Sequence, residues 1–130
     1  MFNELTVVGH LTKDPEVTYT TAQEKVVKVS LGSSVWRKDK PYTIWLTVYV
    51  WGGAADFAEK YVHKGDLVQV VGSLLPDRET GNPKVYRRQD GSFGSSYEIK
   101  CRLLTRLHKK DSTGSKSYAD TDDDYSVNIF

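Results

Sequence analysis

The segment Tyr42-Thr43-Ile44-Trp45-Leu46-Thr47-Val48-Tyr49-Val50-Trp51 decides which fold this 130-residue chain adopts. Its even positions, Tyr42, Ile44, Leu46, Val48 and Val50, make an unbroken apolar stripe, while its odd positions are Thr43, Trp45, Thr47, Tyr49 and Trp51. Successive side chains of a β-strand point to opposite faces. The even stripe is therefore predicted to fill an interior. The odd stripe, two indoles and a phenol among threonines, must face the other way. Gly52-Gly53 ends the strand, and Ala55, Ala58 and Val62 then recur at i, i+3 and i+7, with Phe57 and Tyr61 four apart beside them. This spacing predicts a helix over 54–62.

Two strands precede this pair. From Phe2 to Leu11 the pattern alternates, with Leu5, Val7, Gly9 and Leu11 on one parity, until Asp14-Pro15 breaks it; Glu16 to Tyr19 resumes briefly. From Lys25 to Trp36, Val27, Val29 and Leu31 are predicted to face in, with Lys28 and Ser30 facing out. Arg37-Lys38-Asp39-Lys40 followed by Pro41 reads as a loop tip. After the helix, Lys64-Gly65-Asp66 turns the chain into a strand from Leu67 to Leu75. A polar stretch from Pro76 to Ser95 is predicted to form an extended hairpin or loop around Lys84 to Arg88. A last strand, Ser96 to Leu107, is expected to send Tyr97, Ile99, Cys101 and Leu103 inward. Five long strands with a helix between the third and fourth is the layout of an all-β, five-stranded Greek-key OB-fold barrel. That fold carries several functions, so topology alone does not assign one.

Charge divides the chain. Residues 1–110 hold 17 Lys and Arg against 12 Asp and Glu, whereas residues 111–130 hold one Lys and five Asp. A mildly basic body suits a polyanion, and an acidic end suits basic protein surfaces. No apolar run reaches the roughly 18 residues that span a bilayer. Met1-Phe2-Asn3-Glu4 lacks the features of a secretory signal. The single cysteine, Cys101, has no partner for a disulfide or a zinc site, so a reducing cytoplasm is the expected location. Residues 1–107 are expected to form the folded domain, 108–119 a linker, and 120–130 a tail for partner proteins.

The candidate chemistry is binding. Unstacked bases gain an aromatic face in place of a lost neighbour, worth about 1–3 kcal/mol per base whatever its identity. Trp45, Tyr49 and Trp51 offer such a face, and Trp36 shares the parity of Lys28 on the preceding strand. Lys13, Lys28, Arg37, Lys38, Arg87 and Arg88 are the cations expected to meet phosphates, so affinity should fall as salt rises. The bland alternative is that these aromatics cover a subunit interface or a neighbouring loop. His10, His63 and His108 are scattered, and no nucleophile is paired with a base, so neither a metal, a cofactor nor catalysis is expected. The tail, with Asp122, Asp123 and Asp124 and ending in Ile129-Phe130, combines acids with an apolar tip. Such a tip suits a hydrophobic pocket rimmed by cations.

Several segments together resemble the bacterial single-stranded DNA-binding proteins. These are Leu5-Thr6-Val7-Val8-Gly9-His10-Leu11 leading to Asp14-Pro15-Glu16, the block from Trp45 to Gly52, Ala58 to Asp66, and Val70-Val71-Gly72-Ser73-Leu74. The resemblance runs in order over residues 2–107 and extends to the acidic end closed by Phe130. It implies a homotetramer, base stacking at Trp45 and Trp51, and a tail that recruits replication, recombination and repair proteins. It also implies a cytoplasmic, nucleoid-associated location. The chain departs from the family where Leu46 replaces a frequent His and Thr18 a frequent basic residue. In the tail, Tyr125-Ser126-Val127-Asn128 stands before the tip and the usual proline is missing. Two other readings share the same fold: an assembly factor acting through protein contacts, and a nuclease with its acids on the barrel.

Overall fold

The computed structural model describes residues 1–110; the tail residues Asp122, Asp123, Asp124, Ile129 and Phe130, and most of the linker, lie outside them. The elements run β1 (Leu5–Leu11), β2 (Glu16–Tyr19), β3 (Lys25–Arg37), β4 (Lys40–Trp51), α1 (Gly52–Tyr61), β5 (Leu67–Leu74), β6 (Lys84–Arg87) and β7 (Phe93–His108). The sheet order is β1-β5-β7-β4-β3-β2, and β1 also pairs with β3 through His10↔Gly32 and Leu11↔Leu31. That last pairing closes β1, β3, β4, β5 and β7 into a barrel, the expected OB-fold. The β4–β7 contact, Leu46↔Tyr97 to Tyr49↔Lys100, is parallel. The two short strands are additions to the barrel: β2 lies against β3, and β6 forms the hairpin expected between Pro76 and Ser95.

The interior is aliphatic. Val27, Val29, Leu31, Leu46, Val48, Val50, Val68, Val70 and Ile99 are buried in one cluster with Ala55, Ala58 and Val62 of the helix segment. The helix thus stoppers one end of the barrel with its small-residue face. Gly52, at φ 66°, makes the sharp exit from β4 that a side chain would hinder. Lys25 of β3 holds the helix from outside, donating to Asp56 at 2.8 Å and pairing also with Glu59. These two carboxylates keep its ammonium well above the usual lysine range. At the other end of α1, the Arg106 guanidinium donates to the Tyr61 carbonyl at 2.6 Å, satisfying a helix-terminal acceptor.

Asp66 organises the turn after the helix. Its side chain is buried, and its carboxylate accepts from the backbone of His63 at 2.9 Å and of Lys110 at 2.8 Å. Nearby, Asp14 accepts from the Lys64 backbone at 2.8 Å. The Asp14-Pro15 break, the turn at Lys64-Gly65-Asp66 and the end of the described chain are therefore one hydrogen-bonded unit.

Four inward assignments are corrected. Tyr42 and Ile44 belong to the apolar stripe of β4 but are 52% and 41% exposed, because β3 and β4 project beyond the barrel as an arm with its turn at Lys38-Asp39. Tyr97, paired with Leu46 where β7 enters the barrel, is 57% exposed. Leu103 is exposed and Leu104 buried, since a bulge between Val71↔Leu103 and Gly72↔Cys101 shifts the parity of β7 by one residue. Leu5 rather than Phe2 begins β1, and β7 continues through His108.

The bulge requires a glycine. A Cβ on Gly72 would lie 2.1 Å from the Lys100 carbonyl oxygen, a backbone atom that cannot swing aside. Gly72→Ala is expected to destabilise the domain by about 1–3 kcal/mol, the usual cost of overpacking. Urea unfolding followed by far-UV circular dichroism measures it, and an unchanged midpoint would refute the account.

Candidate nucleic-acid interface

The outer face of the β3–β4–β7 wall is a regular lattice of rows. In register across β3 and β4, Val26 stands opposite Trp51, Lys28 opposite Tyr49, Ser30 opposite Thr47, Gly32 opposite Trp45, Ser34 opposite Thr43 and Trp36 opposite Pro41. From β7, Lys100 extends the Tyr49 row and Glu98 extends the Thr47 row. Rows on one face of a strand are about 7 Å apart, so the row of Trp45 and that of Trp51 lie about 20 Å from each other. The aromatic rows of Tyr49 and Trp51 adjoin, and the hydrogen-bonding row of Thr47 separates them from Trp45.

Each aromatic is held differently. Trp45 is 62% exposed and lies over Gly32, where a Cβ would come within 3.0 Å of its ring atom Cζ3. Without a side chain on Gly32, the indole can lie down and leave its outer face open. Trp51 is partly buried, with the Lys100 ammonium 5.6 Å from its ring centroid, a cation–π contact. Tyr49 stands 6.2 Å from Trp51 and donates its hydroxyl to Glu98 Oε2 at 2.9 Å. Burial first, and then the Glu98 carboxylate, push the Tyr49 phenol up to about 12, so it remains a donor at neutral pH. Trp36 is 68% exposed at the outer end of the arm, on the same face but two rows beyond Trp45.

Of the predicted cations, Lys28 joins the aromatics directly, while Arg37 and Lys38 flank the arm's turn beside Trp36. Lys38 takes φ 55°, a left-handed conformation at a non-glycine residue. Lys13 lies in the β1–β2 loop and is paired with Glu16 at 2.8 Å. The Lys13 hydrogen bond holds the Glu16 carboxyl below its ordinary range. Arg87 and Arg88 sit at the end of β6. Arg88 stacks on Tyr86 at 5.6 Å and donates to the Phe93 carbonyl at 2.6 Å. Tyr86, opposite Gly94, continues the parity of Glu98 and Lys100. Arg87 has the other parity and lies over Phe93 at 5.9 Å. The structure therefore gathers Trp36, Trp45, Tyr49, Trp51 and Lys28 on one face and leaves Lys13 and Arg87 at its margins.

Sequence reasoning missed three members of this face: Lys100, Glu98 and Tyr86. Lys100 and Glu98 were legible as outward on their own strand. Their place beside Tyr49 and Trp51 depends on a parallel pairing between segments some 50 residues apart. Tyr86 lay in a stretch whose polar composition hides strand parity; the Tyr-Arg-Arg run before Asp90-Gly91 was its one available sign. Cys101 is packed against the core, and burial pushes its thiol up to about 11, which leaves it poorly reactive.

Comparison with known proteins bears on the same region. The single-strand binding protein family model matches residues 2–107. Single-stranded DNA-binding protein 1 of Chlorobaculum tepidum is 32% identical over 126 residues, covering 90% of this chain and 72% of the relative. The single-stranded DNA-binding protein of Xanthomonas campestris is 35% identical over 88 residues, covering 64% of this chain and 51% of that protein, so the chain spans about half of it. Among solved structures, a Plasmodium falciparum SSB complex with ssDNA superposes with a TM-score of 0.66 at 22% identity, over 82% of this chain and 96% of that one, a likeness of fold. With nearly the whole folded body matched by one family model and a relative similar along most of its length, the chain belongs to the single-strand binding protein family.

Proposed function

We propose that this protein binds single-stranded DNA in a sequence-tolerant way, stacking bases on Trp36, Trp45, Tyr49 and Trp51. One observation carries the reading. β4 turns Leu46, Val48 and Val50 into the core at 5%, 0% and 0% exposure, so the barrel does not need the tryptophans on its other side, of which Trp45 is 62% exposed. Large aromatic side chains left in water at an ordered sheet surface mark a binding face. Tyr86 with Arg88 adds a further stacking surface along β7. Lys28, Lys100, Arg37 and Lys38 meet phosphates around that floor, with Lys13, Arg87 and Arg88 at its edges. The proposed roles are protection of single strands in replication, recombination and repair, within the cytoplasm and in association with the nucleoid. No catalytic step and no cofactor is part of this reading.

Two finer elements complete it. An apolar groove opens where the arm separates from β1, lined by Leu5, Val7, Val35, Ile44, Leu74 and Tyr97. Ile44, Leu74 and Tyr97 are 41%, 50% and 57% exposed there, and a second copy of the chain would cover them, in keeping with a homotetramer. The tail is proposed to recruit partner proteins through Asp122, Asp123, Asp124, Ile129 and Phe130. Its acids and apolar end suit a basic-rimmed pocket.

Three outcomes test the proposal. Titrating intrinsic tryptophan emission with oligo-dT should give strong quenching, and Trp45→Ala and Trp51→Ala should each weaken binding by about 1–3 kcal/mol; variants that bind like the parent would show the assigned face is wrong. Sedimentation should give a tetramer that Ile44→Lys breaks down, whereas a parent that runs as a monomer would remove the groove's role. Deleting residues 120–130 should abolish capture of partner proteins and leave DNA affinity unchanged or slightly raised. A large affinity loss would instead place the tail in contact with DNA.

A further inference from the structure

The strand pairings bring a histidine of β1 onto the aromatic wall. His10 pairs with Gly32, and Gly32 pairs with Trp45. Directly opposed residues of antiparallel strands share a face, so one row runs Trp45, Gly32, His10 across β4, β3 and β1. The next residues along, Leu46, Leu31 and Leu11, form the matching row on the other face and are all buried. That fixes the direction of His10, which is exposed. Among the described residues its imidazole has no hydrogen-bond or ion-pair partner.

Gly32 leaves the middle of this row open. With strands 4.7–4.9 Å apart, the His10 backbone lies about 10 Å from that of Trp45, with Gly32 midway. The indole fills the first interval, since a Cβ on Gly32 would lie 3.0 Å from its Cζ3. The methyls of Thr12 and Thr43, each 3.4 Å from the same point, border this seat. The six-membered ring of Trp45 therefore points its free edge at β1, and His10 is the next side chain in the row.

The geometry points to His10 as a further DNA contact, one that holds a phosphate of the nucleotide stacked on Trp45. The inference rests on the stacking reading above and carries it onto β1. A base lying on the indole has its sugar and phosphate at the margin of the platform. On the β7 side, the row next to that of Trp45 ends in the Glu98 carboxylate, which repels phosphate. On the β1 side the outward positions are Thr6, Val8, His10 and Thr12, with no carboxylate among them. An imidazole keeps at least one N–H donor in either charge state. A donor that meets a phosphate oxygen sets the position of the strand without reading its sequence.

The test measures the affinity of labelled oligo-dT by fluorescence anisotropy over a range of salt concentrations. His10→Lys should steepen the slope of log affinity against log salt by about 0.7, the increment for one more phosphate neutralised on a single strand. His10→Leu, which removes the donor, should weaken binding by about two- to tenfold, the range of one hydrogen bond. His10→Gln keeps a donor and should lose less. In a Trp45→Ala background, where the base has no seat, the loss caused by His10→Leu should shrink. An unchanged slope in His10→Lys overturns the inference, as does a His10→Leu loss that persists in full without Trp45. If the parent protein fails to bind oligo-dT, the stacking reading falls and this one with it; a parent that binds, with the His10 variants indistinguishable from it, removes this one alone.

Discussion

The two-residue period of β4 is the constraint on which the rest of the molecule depends. An extended backbone cannot choose which neighbour faces in: once Leu46, Val48 and Val50 enter the core, Trp45, Thr47, Tyr49 and Trp51 must stand outside. The flanking strands inherit the same division through register. Lys28, Ser30 and Gly32 of β3 and Glu98 and Lys100 of β7 are outward because their partners on β4 are. A one-residue slip would exchange the faces wholesale, burying indoles and exposing aliphatics. The hydrophobic effect thus fixes the aromatic face without touching it, by burying the opposite side of the same strand.

The electrostatics of that surface are more restrained than a simple basic groove. Cations and anions are mixed: Lys28 lies opposite Glu16 of β2, Glu98 adjoins Tyr49, and Lys100 is committed to the Trp51 ring. The arm contributes Arg37 and Lys38, and the β6–β7 hairpin presents Arg88 already stacked on Tyr86. Such a distribution interleaves charge with aromatic area instead of concentrating either.

Much of this was legible in the chain. The alternation of β4, the Ala55–Ala58–Val62 spacing and the Lys64-Gly65-Asp66 turn are local patterns, and local patterns survive folding where the tertiary contacts agree with them. What escaped was set by contacts between distant segments. Leu103 and Leu104 exchange places because the bulge opposite Gly72 adds a residue to β7, and nothing within β7 announces it. Tyr42 and Ile44 look like core because their parity is right; they are exposed because the arm outruns the strands that would cover it. The Tyr49–Glu98 bond joins residues 49 positions apart, beyond any periodicity.

The position of β7 has a consequence for how the protein comes into being. It is the last strand in the chain and yet lies in the middle of the sheet, paired to β4 along one edge and to β5 along the other. Until residues 93–108 have been synthesised, β5–β1 and β2–β3–β4 are joined only by the short β1–β3 pairing, and the barrel cannot close. Loop closure over such separations is slow compared with hairpin formation. During synthesis the nascent chain therefore holds β4 with its aliphatic side uncovered, an interval in which chaperone capture or mispairing between neighbouring nascent chains competes with closure.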